Sequence, residues 1–319
     1  MSGVIATMRA LAAGLTFAGL SGAVYPHDIP KPLRFILLTP FADYSFFEPI
    51  KKGMSDAARS LGVEATFSGT PDGNVKALAG KVREAVKAGY DGIGLNIVDP
   101  VALDAVVAEA VGNGVPVIAF NVDDNKTPNA RLAAIGQNMP QAGRIFGRAV
   151  ASSIPEGSHV LLTMHDPNIS ALEDRAAGAQ EVLKSKEITW TPLLTGTEPN
   201  AALERIRMAL EANPSIRVIL STGSADTEAA GKVIEKYFRG KDYFCAGFDL
   251  SPEILRLIKA NIIRLSIDQH PYAQGYYAMV ELTLYRRYGI QPSFIDTGAA
   301  VITADEVDQI VKLSQEHYR

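Results

Sequence analysis

The sequence predicts an α/β protein of two similar lobes, each built on a parallel sheet flanked by helices. Three observations predict it. Short runs rich in Val, Ile and Leu alternate with helix-length amphipathic stretches, the pattern of parallel strands covered on both faces. The runs are too numerous for one ordinary open sheet. The series also breaks near Gln137-Asn138, where one set of strands ends and a second begins with a helix.

In order, the first lobe is expected to place strands at residues 34–39, 64–68, 92–97, 116–121 and 132–136, with helices at 47–61, 74–88 and 101–113 as crossovers. A helix at 140–152 opens the second lobe. Its strands fall at 160–164, 189–193, 217–221, 244–248 and 263–267, and its helices at 171–184, 202–212 and 227–237. A single βα barrel competes with this layout. It requires one uninterrupted βα series, whereas the polar loop 122–131 joins two strands without a helix. The break favours two open, Rossmann-like sheets.

The 319 residues amount to roughly two domains' worth of chain, at about 150 residues per domain. Hydrophobic residues at 47% and charged residues at 21% are ordinary globular usage, which excludes a disordered or collagen-like chain. Lys plus Arg (31) nearly balance Asp plus Glu (35), so the net charge of −4 lacks the basic footprint of a nucleic-acid-binding surface. The lone cysteine, Cys245, excludes an intrachain disulfide and a cysteine metal cluster.

Residues 1–23 carry Arg9, an apolar run over 10–20 and the small-residue triplet Ser21-Gly22-Ala23, the layout of a secretory signal peptide. The run is shorter than the roughly 20 residues of a membrane span. Cleavage close after Ala23 is expected, leaving an exported chain.

Motifs of several enzyme classes are missing. Gly231-Lys232 has no phosphate-cradling loop around it, Gly92-Ile93-Gly94 lacks the third glycine of a dinucleotide fingerprint, and neither H-E-x-x-H nor G-x-S-x-G occurs. The histidines are scattered singly, a poor match to metal-ligand spacing. No cofactor, metal or catalytic residue is expected.

In open α/β sheets ligands lie beyond the carboxyl ends of the strands, and the residue types there are aromatic, amide and carboxylate. Tyr44, Phe46 and Phe47 follow the first strand, Asn121 closes the fourth, and Asn168, Ser224, Asp226, Phe248, Asp249 and Gln269 end or follow strands of the second lobe. A carbohydrate offers matching features: an apolar C–H face for a ring to cover, and hydroxyls that donate and accept. Carboxylates and amides hold vicinal hydroxyls together, and charge-assisted bonds are the stronger kind. Plainer roles stay open. Ser45, Asp226 and Ser251 also fit helix caps, one of Phe46 and Phe47 fits the core, and Asn121 and Asp249 fit ordinary turns.

At these residues the sequence resembles the periplasmic sugar-binding proteins of ribose/galactose type, the solute receptors of ABC importers. The resemblance is carried by Asp43-Tyr44-Ser45-Phe46-Phe47, Gly114-Val115-Pro116-Val117-Ile118 running into Phe120-Asn121, Gly136-Gln137-Asn138, Ala246-Gly247-Phe248-Asp249 and Ile267-Asp268-Gln269-His270-Pro271. It implies two lobes joined by a three-segment hinge that closes over a sugar. Residues 33–137 plus 270–297 would form the N-terminal lobe, and 138–269 plus 298–319 the C-terminal lobe. By position, Phe46 or Phe47, with Tyr44 beside them, brings a ring to the sugar face, Asn168, Ser224 and Asp226 sit at the cleft edge, and Asp249 and Gln269 match the family pattern directly. Two positions depart. Asn121-Val122 stands where the family has an acid followed by arginine. Glu173 stands nearest to the family's arginine on the first helix of the second lobe, with Arg175 two residues on. The departure implies an uncharged ligand with a methyl, a methylene or fewer hydroxyls on the edge facing Val122.

The expected protein is a periplasmic, monomeric solute-binding protein that captures a neutral monosaccharide or sugar alcohol and delivers it to the membrane permease of an ABC importer. Two other readings share the architecture. The effector domain of a LacI-type transcription regulator needs a basic helix-turn-helix ahead of the first strand, where this sequence is apolar. A sugar-processing α/β enzyme needs catalytic motifs that the sequence lacks.

Overall fold

The computed structural model describes residues 31–123, 127–167 and 169–319. The signal peptide expected at 1–23 and the site position Asn168 lie outside the described residues.

The chain runs β1 (Arg34–Pro40), α1 (Glu48–Leu61), β2 (Glu64–Thr70), α2 (Val75–Lys87), β3 (Gly92–Leu95), α3 (Pro100–Gly112), β4 (Val117–Asn121) and β5 (Ala134–Gly136). There follow α4 (Met139–Ala151), β6 (His159–Met164), α5 (Ser170–Leu183), β7 (Thr189–Leu194), α6 (Pro199–Ala212), β8 (Ile216–Ser221), α7 (Ser224–Tyr237), β9 (Phe244–Phe248), α8 (Pro252–Lys259) and β10 (Leu265–Asp268). The last elements are α9 (Pro271–Tyr288), β11 (Ile295–Asp296), β12 (Ala300–Ile302) and α10 (Val307–Gln315). Two six-stranded sheets result, ordered β11-β5-β4-β3-β1-β2 and β12-β10-β9-β8-β6-β7. One order maps onto the other, with β4 equivalent to β9 and β1 to β6, so the lobes repeat one topology. The chain passes between the sheets three times: after Gly136, after Asp268, and between Asp296 and Ala300.

The first sheet is parallel throughout. In the second, the expectation of a purely parallel sheet is corrected at one edge, where β12 runs antiparallel to β10 with Ser266 opposite Ile302. Strands β11 and β12 hold two and three residues, too few for any periodicity to announce them. Other boundaries move for local reasons. The third strand stops at Leu95, and the Asn96 side-chain amide just beyond it donates to Thr39 and Asn121. The tenth begins late because the amides of Ile262 and Ile263 both bond the Leu257 carbonyl at the end of α8. Helix α6 begins early because the Glu198 carboxylate accepts from the amides of Asn200 and Ala201, at 3.1 and 2.6 Å. Ser251 does cap a helix, its hydroxyl accepting from the amide of Ile254 at 3.1 Å.

Apolar residues alternate across each sheet and bury both faces. In the first, Leu38, Ile93 and Leu95 pack on Leu78 and Val106, while Phe35, Leu37 and Phe120 pack on Ile50 and Leu282. In the second, Leu161, Ile219 and Cys245 pack on Ile206 and Ile258, while Val160, Leu220 and Phe248 pack on Phe146. Burial pushes the Cys245 thiol up to about 12, which leaves it an inert core residue. The cores make each sheet a rigid platform for the loops at its carboxyl end.

Candidate functional site

Those carboxyl ends open onto one cleft of about 760 Å³, within the roughly 300–1,000 Å³ of small-molecule sites. Its floor is an amide network. Asn121 at the end of β4 and Asp249 just after β9 both have left-handed backbone, with φ of 65° and 69°, a region that Asn and Asp enter more readily than other side chains. Between them lies Gln269, which accepts from Asn121 Nδ2 at 3.0 Å and donates to Asp249 Oδ1 at 2.6 Å. Gln274, in the first turns of α9, accepts from the same Asn121 amide at 3.1 Å and donates to Gln269 Oε1 at 3.0 Å. Asn96 completes the set: its amide donates to Thr39 Oγ1 and to Asn121 Oδ1, and its oxygen accepts from the Val122 amide.

The second lobe supplies the charges. Arg175 on α5, only 2% exposed, donates to Gln137 Oε1 from Nε and Nη2 and to the Thr222 carbonyl from Nη1. Its guanidinium lies 4.4 Å from the Phe248 ring centroid and 3.6 Å from Asp249 Oδ1. Burial pushes the Asp249 carboxyl above its usual range and the Arg175 guanidinium below its own, while each partner's charge opposes the shift. Beside them His165 pairs with the wholly buried Asp226, Nδ1 to Oδ1 at 2.8 Å.

The loop after β1 brings aromatic surface. Tyr44, at 43% exposure, and Phe46 line the cleft mouth. Phe46 meets Phe47 edge to face at 5.1 Å, and Phe47 continues into the core against Phe67. An apolar patch of Val98 and Val122 from the first lobe meets Met139 and Ala171 from the second. Ser314, His317 and Arg319 also line the cleft, and Arg319 Nη1 donates to the buried Asp268 carboxylate at 2.6 Å.

The family described as periplasmic binding protein domain matches residues 35–285. The chain belongs to that family. Among curated relatives, this periplasmic binding protein is 25% identical over 297 residues to the xylose/arabinose-binding protein XylF of Sulfolobus acidocaldarius, covering 88% of this chain and 74% of the relative. It is 22% identical over 230 residues to the ribose import binding protein RbsB of Bacillus subtilis, covering 72% and 74%. Among solved structures, the carbohydrate transporter of Acidothermus cellulolyticus 11B in complex with myo-inositol superposes with a TM-score of 0.81 at 27% identity, covering 91% of this chain and 100% of the other. GanP, a glucose-galactose binding protein from Geobacillus stearothermophilus, shares the fold with a TM-score of 0.80 at 22% identity, covering 86% and 99%.

In this periplasmic binding protein, Tyr44, Phe46, Phe47, Asn121, Arg175, Ser224, Asp249 and Gln269 all line the cleft. Three expected positions stand elsewhere. Phe248 is wholly buried beneath the Arg175 guanidinium. Asp226 sits behind His165, neither at the cleft edge nor as a helix cap, and accepts from the Thr163 hydroxyl and the Thr222 amide. Glu173 is exposed on α5 and does not line the cleft, because residues two apart on a helix point about 200° apart. It is therefore Arg175 that reaches the cleft. The sequence reading missed Asn96, which looked like strand interior, and gave no role to His165, which it placed at a strand end but read as one of several scattered histidines. It also missed the Ser314, His317 and Arg319 group, which the fold returns to the cleft from far along the chain. Among the described residues, no cluster of His, Cys, Asp and Glu fits a metal ion, and no helix is long and apolar enough to cross a membrane.

Proposed function

We propose that this chain captures a neutral monosaccharide or sugar alcohol in the cleft and delivers it to the membrane permease of an ABC importer, as an exported, monomeric periplasmic protein. The observation that carries the reading is the pairing of aromatic surface at the cleft mouth, Tyr44 and Phe46, with the Asn121, Gln269 and Asp249 network at its floor. One half suits the C–H face of a sugar and the other its hydroxyls. Asp249 and Arg175 balance each other's charge, as do Asp226 and His165, which favours an uncharged ligand. The named ligands of the relatives, xylose, arabinose, ribose and myo-inositol, agree with this class. The apolar edge at Val122 favours a ligand with a methyl, a methylene or fewer hydroxyls there. The three passages between the sheets would serve as the hinge. A thermal-shift screen across pentoses, hexoses, deoxy sugars and polyols tests the reading: a ligand at 100 times its Kd should stabilise the fold by about 2.7 kcal/mol. A screen in which no carbohydrate or polyol raises the melting temperature would refute it.

A further inference from the structure

His165 enters the reading above only through its charge balance with Asp226, yet its ring is built into the cleft. It directly follows β6, lines the cleft, and keeps 15% of its side chain exposed there. With Nδ1 at 2.8 Å from Asp226 Oδ1, the carboxylate accepts and Nδ1 holds a proton in either charge state of the ring. Asp226 is itself fixed, since its other oxygen accepts from the Thr163 hydroxyl at 3.0 Å and the Thr222 amide at 2.8 Å. Gly223 makes room for the ring, as a Cβ at that position would overlap the imidazole Cε1. With Nδ1 committed, Nε2 is the polar ring atom left for the cleft.

We propose that His165 contacts the ligand, donating a hydrogen bond from Nε2–H as an imidazolium to an oxygen of the captured carbohydrate, and so ties affinity to pH. The proposal rests on the carbohydrate reading. The groups facing the ring are Asp226 from α7, Asp249 after β9 and Asp166 beside it in the chain, with Arg175 reaching Asp249 from α5. Burial alone would push the imidazole below its usual 6.5, but the hydrogen bond and charge of Asp226, helped by Asp249 and Asp166, hold it above that value. A charged donor gives the ligand oxygen the stronger class of hydrogen bond. As pH rises and the imidazolium loses its Nε2 proton, that atom becomes an acceptor, and the charge-assisted bond gives way to at most a weaker neutral one donated by a ligand hydroxyl.

Calorimetric titration of the full chain with xylose, arabinose, ribose and myo-inositol selects the tightest of the four as the probe. From about pH 5.5 to about pH 9, wild-type affinity for it should be constant at the acid end and then fall roughly tenfold as the imidazolium titrates. His165→Gln, which retains a neutral donor, should bind roughly tenfold more weakly at the acid end and lack the decline. Thermal melts of the variant check its fold, and the wild-type profile needs no substitution at all. A flat wild-type profile, or a folded His165→Gln that binds within about twofold of wild type at the acid end, overturns the role. Should none of the four bind, the tightest ligand of the thermal-shift screen above serves as the probe; a wild type that binds nothing in that screen overturns the carbohydrate reading and this proposal with it, an outcome recognisable because no substitution is involved.

Discussion

Asn121 and Asp249 stand at equivalent strand ends in the two lobes, share a left-handed backbone, and are joined through the single amide of Gln269. That amide uses its oxygen toward the first lobe and its nitrogen toward the second. The two halves of the cleft floor are therefore held at one spacing by a side chain at the second passage between the sheets. Non-glycine residues kept in this backbone region are concentrated at functional sites, and here both point into the same cleft. At the cleft floor the first lobe presents neutral amides, and the second compensated charges.

Asp249 should be the most sensitive polar residue of the cleft. Its Oδ1 is committed to Gln269 and lies near Arg175, which leaves Oδ2 for ligand hydroxyls. Charge-assisted hydrogen bonds contribute about 1.5–3 kcal/mol each, so Asp249→Ala should weaken carbohydrate binding at least roughly tenfold. Calorimetric titration measures this, with circular dichroism to verify the fold. Unchanged affinity would remove Asp249 from the site.

At Asn121 the backbone and the side chain can be separated. Asn121→Ala and Asn121→Gly lose the same amide hydrogen bonds to Gln269 and Gln274, but only alanine keeps a Cβ at a φ of 65°. The glycine variant should therefore be the more stable of the two by about 1 kcal/mol in urea unfolding, while both bind ligand weakly. Equal stability would mean that the backbone relaxes once the amide is gone.

Much of this was legible in the sequence because parallel strands buried on both faces write themselves as continuous apolar runs. Once strands are placed, their carboxyl ends point to Asn121, Asp249 and Gln269. What stayed hidden depends on tertiary geometry. Asn96 continues an apolar run without any change of pattern, and only the placing of β3 between β1 and β4 brings its side chain to Thr39 and Asn121. Arg319 reaches Asp268 across 51 residues of sequence, a pairing with no local signal. Glu173 and Arg175 both carried the expectation of an arginine on α5, and helical phase decided between them. Phe248 does end its strand but lies under Arg175, and Asp226, expected ahead of a helix beginning at 227, lies inside α7 and behind His165.

The His165–Asp226 pair should make the stability of the unliganded protein depend on pH. The folded-state pKa of His165 lies above the usual 6.5, so the pair's contribution is fully present below about pH 6.5 and is lost as pH rises through the folded-state value. Asp249 acts in the same direction at lower pH: burial raises its pKa above 3.8, so its protonated form favours the folded state and that advantage fades as pH rises. Scanning calorimetry at stepped pH should show the melting temperature falling from near-neutral into mildly alkaline solution. His165→Gln should flatten that fall. A fall of the same size in the variant would assign it to other groups.

The last prediction concerns the support beneath Arg175. Helices α4 and α5 cross with backbone against backbone, since a Cβ on Gly143 would overlap the carbonyl oxygen of Arg175 and one on Gly178 would overlap that of Pro140. The first lobe repeats the device where α1 crosses α9, at Gly53 and Gly275. Because the atom in the way is main chain rather than a flexible side chain, Gly143→Ala must displace α5, and overpacking of this kind costs about 1–3 kcal/mol. The displacement begins at the residue whose guanidinium holds Gln137, Thr222 and Asp249. Gly143→Ala should therefore lower both stability and ligand affinity. Gly80→Ala on α2, where an added Cβ meets nothing within 4 Å, should leave affinity unchanged and stability equal or slightly raised. Chemical denaturation and ligand titration of the two variants in parallel measure both quantities, and a Gly143→Ala protein that binds as wild type would show that Arg175 does not depend on this crossing for its position.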